Sequence, residues 1–188
     1  MMIAVIEYPL QQKIIYTIGH STRTLEEFIS ILKSFNIELL ADIRSYPGSK
    51  RYPHFNKENL QKFLPEHQIM YQHIIELGGR RKTLKDSKNT AWKNDSFRGY
   101  ADYMDTTDFK EGVSKLENIA AKYKTAYMCS EAIWWRCHRS MVSDYLKWKG
   151  WQVMHIMAEK KSEEHPYTSS AKIVDGQLSY SNDQQSLF

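Results

Sequence analysis

At 188 residues, with 41% hydrophobic and 13% aromatic side chains, the chain is long enough to remove most of its apolar surface from water, which excludes a disordered segment and suits one folded domain. It contains no apolar run of 18 residues, so a membrane-spanning helix is excluded; the opening MMIAVIEYPLQQK is broken too early by Glu7 and Pro9 for a signal peptide, and the expected compartment is cytoplasmic. The net charge of +4 is uneven: residues 44–98 hold 12 Lys or Arg against 5 Asp or Glu, which fits either a solvated basic face or a surface for phosphates.

In chain order, IIYTI at residues 14–18 is a β-branched and apolar run closed by Gly19, a buried strand. Thr24 and Glu27 form a capping box, and Leu25, Phe28, Ile29, Leu32 and Phe35 then share one helical face until Asn36. IELLADI at 37–43 is a second strand, so strand, helix and strand follow with short joins, as in a parallel sheet. Pro47, Gly48 and Pro53 mark a loop over 45–55, a helix follows over 57–64, stopped at Pro65, and 69–75 is a third strand. Residues 77–95 show little apolar periodicity and predict a long, basic, partly mobile insertion.

Helices are expected over 97–104 and 107–122, with Phe109, Val113, Leu116 and Ala120 on one face of the second, and KTAYMC at 124–129 is a fourth strand. Met141, Val142, Tyr145, Leu146 and Trp148 build an amphipathic helix stopped by Gly150, WQVMHIM is a fifth strand, and Asp175-Gly176 between two alternating runs marks a small hairpin. The pattern predicts a single α/β domain over residues 1–180, with a mostly parallel, doubly wound (Rossmann-like) sheet and a flexible tail over 181–188.

Ligands of open parallel sheets bind beyond the carboxyl ends of the strands. That edge is predicted to collect His20 and Ser21 from the first strand, Asp42 and Arg44 from the second, Cys129 and Glu131 from the fourth and His155 from the fifth. CSEAIWWRCHR, residues 129–139, brings Cys137, His138 and Arg139 back at the start of a helix, whose free N–H groups favour anions and lower a thiol's pKa. The candidate catalytic groups are Cys129, Glu131, Cys137 and His138, with Cys137 the more reactive thiol. Arg44, Arg139, His20, Ser21 and Asp42 are the candidate anion-binding set, and Arg51, Arg80, Arg81 and Arg98 the candidate nucleic-acid contacts. Trp134 and Trp135 are expected in an exposed loop with at least one turned into the core. Dinucleotide and P-loop signatures are absent, neither cysteine is followed five residues later by Arg, no paired-His spacing occurs, and no metal or cofactor is expected.

TIGHSTRTLEEFISILK, LLADIRSYPGS, HFNKENL, LGGRR, FRGYADYM and CSEAIWWRCHRSMVSDYL, followed by VMHI, resemble the family of domain of unknown function 488 over about residues 14–157. The resemblance implies a three-layer α/β/α sandwich and a shared polar site, and no established reaction; AIWW stands where a more polar, turn-forming stretch is common. The terminal QQSLF, with Gln184, Leu187 and Phe188, resembles the pentapeptide by which bacterial replication and repair proteins bind the sliding clamp. Three functions stay open: a nucleic-acid- or nucleotide-acting enzyme such as a repair hydrolase, a non-catalytic nucleic-acid-binding module, and a small-molecule enzyme or thiol sensor. The first is favoured, with a nucleic acid or phosphorylated ligand and the sliding clamp as partners and no membrane.

Overall fold

The computed structural model describes residues 13–182. Five parallel strands, β1 (Ile14–Gly19), β2 (Leu39–Asp42), β3 (Met70–His73), β4 (Thr125–Cys129) and β5 (Gln152–Ala158), lie in the order β3-β2-β4-β1-β5. A sixth, β6 (Lys161–Glu164), pairs antiparallel with β5 and closes that edge. β7 (Lys172–Val174) and β8 (Gln177–Ser179) form a separate hairpin whose corner residues Asp175 and Gly176 have φ of 49° and 74°, the left-handed pair that a tight two-residue turn requires.

The helices are α1 (Leu25–Ser34), α2 (Lys57–Glu66), α3 (Asp95–Met104), α4 (Thr107–Ala120) and α5 (Arg139–Trp148). In α1 the Thr24 hydroxyl accepts from the Glu27 amide at 3.2 Å while the Glu27 carboxylate accepts from the Thr24 amide at 2.9 Å, so the sequence's capping box is formed. α2 runs to Glu66 with Pro65 in its last turn, where the missing N–H costs a single bond.

Strand parity sorts the core. Ile15, Leu39, Ala41, Ile43, Tyr127 and Val153 pack with Tyr100, Phe109, Val113, Leu116, Met141 and Leu146 of α3, α4 and α5. Ile18, Leu40, Ala126, Met128 and Ile156 pack with Phe28, Leu32, Leu60 and Leu64 of α1 and α2. Each fully buried side chain of this kind stabilises the fold by about 1.5–3 kcal/mol. Two apolar clusters fed by opposite strand parities are consistent with a Rossmann-like sandwich.

The basic segment after β3 differs from the mobile insertion expected. The Asp102 carboxylate on α3 accepts from Leu84 N at 2.9 Å, Ser87 Oγ at 2.5 Å and Asn89 Nδ2 at 2.8 Å, and Trp92 stacks on Phe97 with centroids 4.8 Å apart. A Cβ on Gly99 would fall 2.5 Å from the Arg81 carbonyl oxygen, so only glycine lets the segment lie this close to α3. Apart from the single Trp92 the anchors are polar, which is why apolar periodicity did not reveal them.

Candidate functional site

Parallel pairing puts the carboxyl ends of β1, β2 and β4 on one edge. There the His20 amide donates to the Cys129 carbonyl at 3.1 Å and the Ile43 amide to the Met128 carbonyl at 3.0 Å. Gly19 permits this closeness, because a Cβ on it would sit 1.8 Å from the Glu131 carbonyl oxygen. Two adjoining cavities of about 380 and 160 Å³ open at this edge and share Arg44, Tyr46, Arg80 and Ser130. The larger is also lined by His20, Ser21, Thr22 and Glu131, the smaller by Cys129, His138 and Gly79. A larger cavity, about 680 Å³, lies by the strand starts at Lys13 and Lys124, away from every thiol and histidine of the set.

Parity continues past the strand ends. Cys129 follows Thr125 and Tyr127 onto the α5 face, where His138 Nδ1 lies 3.9 Å from Cys129 Sγ and 3.6 Å from Cys137 Sγ. His138 Nε2 lies 3.2 Å from the Ile43 carbonyl oxygen. A carbonyl only accepts, so Nε2 carries the hydrogen and Nδ1 faces the sulfurs. The Tyr100 ring, 5.1 Å from the imidazole, and Gly79, where a Cβ would approach Nδ1 to 2.9 Å, fix the ring from the other side. The Ser45 hydroxyl donates to the Gly79 carbonyl at 2.6 Å and holds that backbone in place.

The hydrogen bond from Cys137 holds the Cys129 thiol well below the usual range, with His138 and Arg139 adding to the effect and burial opposing it. Burial pushes Cys137 the other way, well above that range. Cys129 is thus the acidic thiol and Cys137 its donor, the reverse of the sequence-based expectation. Cys137 Sγ does accept from the Arg139 amide at the start of α5, at 3.5 Å, but burial and the neighbouring Cys129 outweigh that contact.

On the α1/α2 face, Asp42 accepts from Arg44 Nε at 2.8 Å, Arg44 Nη2 at 2.5 Å, Arg44 N at 3.1 Å and Tyr71 OH at 2.7 Å. Burial and the Asp42 carboxylate push the Tyr71 phenol up. Arg44 also donates to the Phe55 carbonyl at 2.8 Å. Removing one partner of such a buried pair costs about 3–5 kcal/mol, because it strands the other charge. His20 stacks on Phe55 at 4.2 Å, with Nδ1 3.0 Å from the Ser21 carbonyl oxygen and Nε2 3.4 Å from Arg44 Nη1. A neutral ring donating from Nδ1 and accepting at Nε2 satisfies both. Burial, then Arg44, lowers its pKa to about 4.

Arg139 is drawn into the frame. At 1% exposure it donates to Thr17 Oγ1 at 2.8 Å and to the Glu131 and Ala132 carbonyls at 2.7 and 3.3 Å, so it shapes the rim loop, and burial, with Nε left unpaired, withdraws it from the cleft surface. Arg81 lies 3.5 Å over the Tyr103 ring and donates to the Gly78 carbonyl, while Arg98 donates to the Trp92 carbonyl and pairs with Asp95. Arg51 is exposed beside Tyr52. Arg80 lines both cavities, is exposed, and among the described residues makes no hydrogen bond or ion pair. Glu131 offers an exposed carboxylate at the rim, next to Ser130.

His155 does not join the edge. It stacks on Trp134 at 4.3 Å and continues to His165 at 2.9 Å, which meets Asp144 at 3.0 Å. Trp134 is therefore buried, its Nε1 donating to Glu163 at 2.6 Å, and only Trp135 is exposed, at 52%. The sequence did not single out Tyr46, Gly79 or Ser130. The paired glycines of LGGRR were the available signal for a backbone that must pass close to another group. The tail residues Gln184, Leu187 and Phe188 lie outside the described residues.

No helix among the described residues is long and apolar enough to cross a membrane. No curated protein and no solved structure matched the chain. The model of one family, Domain of unknown function DUF488, matches residues 24–146, a span holding every group of the cleft from Arg44 to His138, and the chain belongs to that family.

Proposed function

We propose that this protein is an enzyme acting on a nucleotide or nucleic acid, built as a three-layer α/β/α sandwich whose strand-edge cleft uses Cys129 as its nucleophile. It rests on one observation: the Cys129 and His138 side chains meet at 3.9 Å on the floor of a cleft whose mouth presents the unengaged Arg80 and a Tyr46 that is 78% exposed. A thiolate beside an imidazole attacks an electrophilic centre, and the Cys137 thiol steadies its charge before attack. Arg80, with the Ser21 and Ser130 hydroxyls, suits a phosphate, and Tyr46 gives a base a ring to stack on. Glu131 stands where it can exchange a proton with the bound substrate. The basic charge of residues 44–98 extends the same preference over the surrounding surface.

The full chain, kept reduced, should be incubated with nucleoside monophosphates and with single- and double-stranded oligonucleotides, and products and intact protein mass followed together. Turnover or a protein adduct is expected, abolished in Cys129→Ser. Loss of one charged hydrogen bond in Arg80→Ala should weaken apparent affinity about tenfold or more. Full activity in Cys129→Ser would overturn the proposal. Recruitment through Gln184, Leu187 and Phe188 is supported by sequence likeness alone; a chain ending at Asp183 that binds immobilised sliding clamp as well as the full chain would remove it.

A further inference from the structure

We propose that Cys129, Cys137 and His138 form a binding site for a thiophilic divalent ion, zinc, with three protein ligands and a fourth position open to the cleft. The ligand atoms Sγ, Sγ and Nδ1 all lie within 4.8 Å of one another. Zinc bonds of about 2.3 Å to sulfur and about 2.0–2.1 Å to nitrogen, at tetrahedral angles, require neighbouring ligand atoms roughly 3.6 Å apart for S and N and roughly 3.8 Å apart for two sulfurs. The observed separations from Nδ1 are 3.6 Å to Cys137 and 3.9 Å to Cys129, within a few tenths of an ångström of the S–N requirement, and the two sulfurs lie within 4.8 Å of each other.

The outer contacts suit the same use. His138 Nε2 faces the Ile43 carbonyl at 3.2 Å, the arrangement that holds a metal-binding imidazole in one tautomer with its other nitrogen free to coordinate. The Arg139 amide donates to Cys137 Sγ at 3.5 Å, which stabilises charge on that sulfur. Two thiolates and an imidazole are a soft set that favours zinc over magnesium, calcium or manganese. Cys129 and His138 both line the smaller cavity, so the remaining coordination position falls to water or substrate. Cys129 ends β4 and His138 caps α5, both rigidly supported, whereas the spacing of seven residues between the cysteines matches no zinc knuckle, so no metal signature is visible in the spacing alone.

Each cysteine binds the ion as its thiolate, any thiol proton it carried passing to solvent; no electron moves. A Cys129 sulfur bound to zinc is no longer free to attack, so the ion and the nucleophile are alternative states of one atom. The ion-binding claim does not require that Cys129 act as a nucleophile, and metal binding is read without substrate.

The full chain should be stripped with chelator under a non-thiol reductant and titrated with Zn²⁺, Co²⁺ and Mg²⁺. Expected results are one Zn²⁺ per chain by native mass spectrometry, a tetrahedral Co²⁺ spectrum with a thiolate charge-transfer band, no Mg²⁺ uptake, and at least tenfold slower alkylation of Cys129 and Cys137 with Zn²⁺ present. Cys137→Ser and His138→Gln, checked for folding by their melting curves, should each weaken Zn²⁺ binding at least tenfold. Failure to retain Zn²⁺, a Co²⁺ spectrum without the thiolate band, or alkylation of the wild-type chain unaffected by Zn²⁺ would overturn the proposal, even if either variant failed to fold.

Discussion

The groups that decide this edge differ in what their charge is used for. Arg44 and Arg139 look alike in sequence as candidate anion ligands, yet Arg44 is held by Asp42 and Phe55 and Arg139 by Thr17 and the rim carbonyls. Arg44 also lines the cleft, but Arg80, exposed and with positive φ of 62°, is the cleft guanidinium that makes no ion pair among the described residues. Two buried histidines have a measurable consequence. Burial, then Arg44, lowers His20 to about 4, with Cys129 and Asp42 opposing; burial, then His165 and Arg139, lowers His155 to about 2. Both rings stay neutral in the fold while the unfolded chain takes up protons below the ordinary value of 6.5. The stability they contribute is therefore full above about pH 6.5 and is lost as pH falls, down to about 4 for His20 and about 2 for His155, at up to about 1.4 kcal/mol per pH unit for each ring. Melting temperatures should drop steadily between pH 7 and pH 5, and His155→Gln should remove part of that slope. A flat profile would show that these rings titrate normally.

At the scale of elements, α1, α4, α5 and the five parallel strands were legible because each carries an apolar period and a stop signal, such as Thr24 with Glu27 or Gly150. β6 was not, since KSEE has no apolar residue and three charged ones; it is a strand because it pairs with β5, and its charge protects an exposed edge. The candidate site was legible as a set of strand ends and not as a geometry. Parity along TAYMC could have sent Cys129 to the Tyr127 face, but nothing in sequence showed that Gly79 and Tyr100 hold His138 against it. The segment 78–94 was missed as an ordered wall because it is held by scattered polar contacts and one aromatic, Trp92, with no apolar period. Asp102→Ala removes three of them, and limited proteolysis should then cut between Leu84 and Asn89 at least several-fold faster than in the unaltered chain. Unchanged cutting would mean that the Trp92 and Gly99 contacts suffice.

For the whole molecule, the order β3-β2-β4-β1-β5 matters more than the number of strands. With β4 between β1 and β2, the segment after Cys129 is flanked by His20 on one side and by Ile43 and Arg44 on the other, so one loop completes a cleft drawn from three strands. Apolar burial holds the two sides of the sheet, and the polar set is left at the edge where the strands end. The central claim is that Cys129, and not Cys137, is the reactive group of this cleft. Metal-free, reduced full-length protein should be treated with iodoacetamide at neutral pH and the two cysteine peptides followed by mass spectrometry. Cys129 should be labelled first, at least tenfold faster than Cys137, and His138→Gln should slow it. Faster labelling of Cys137, or equal and slow labelling of both, would contradict it.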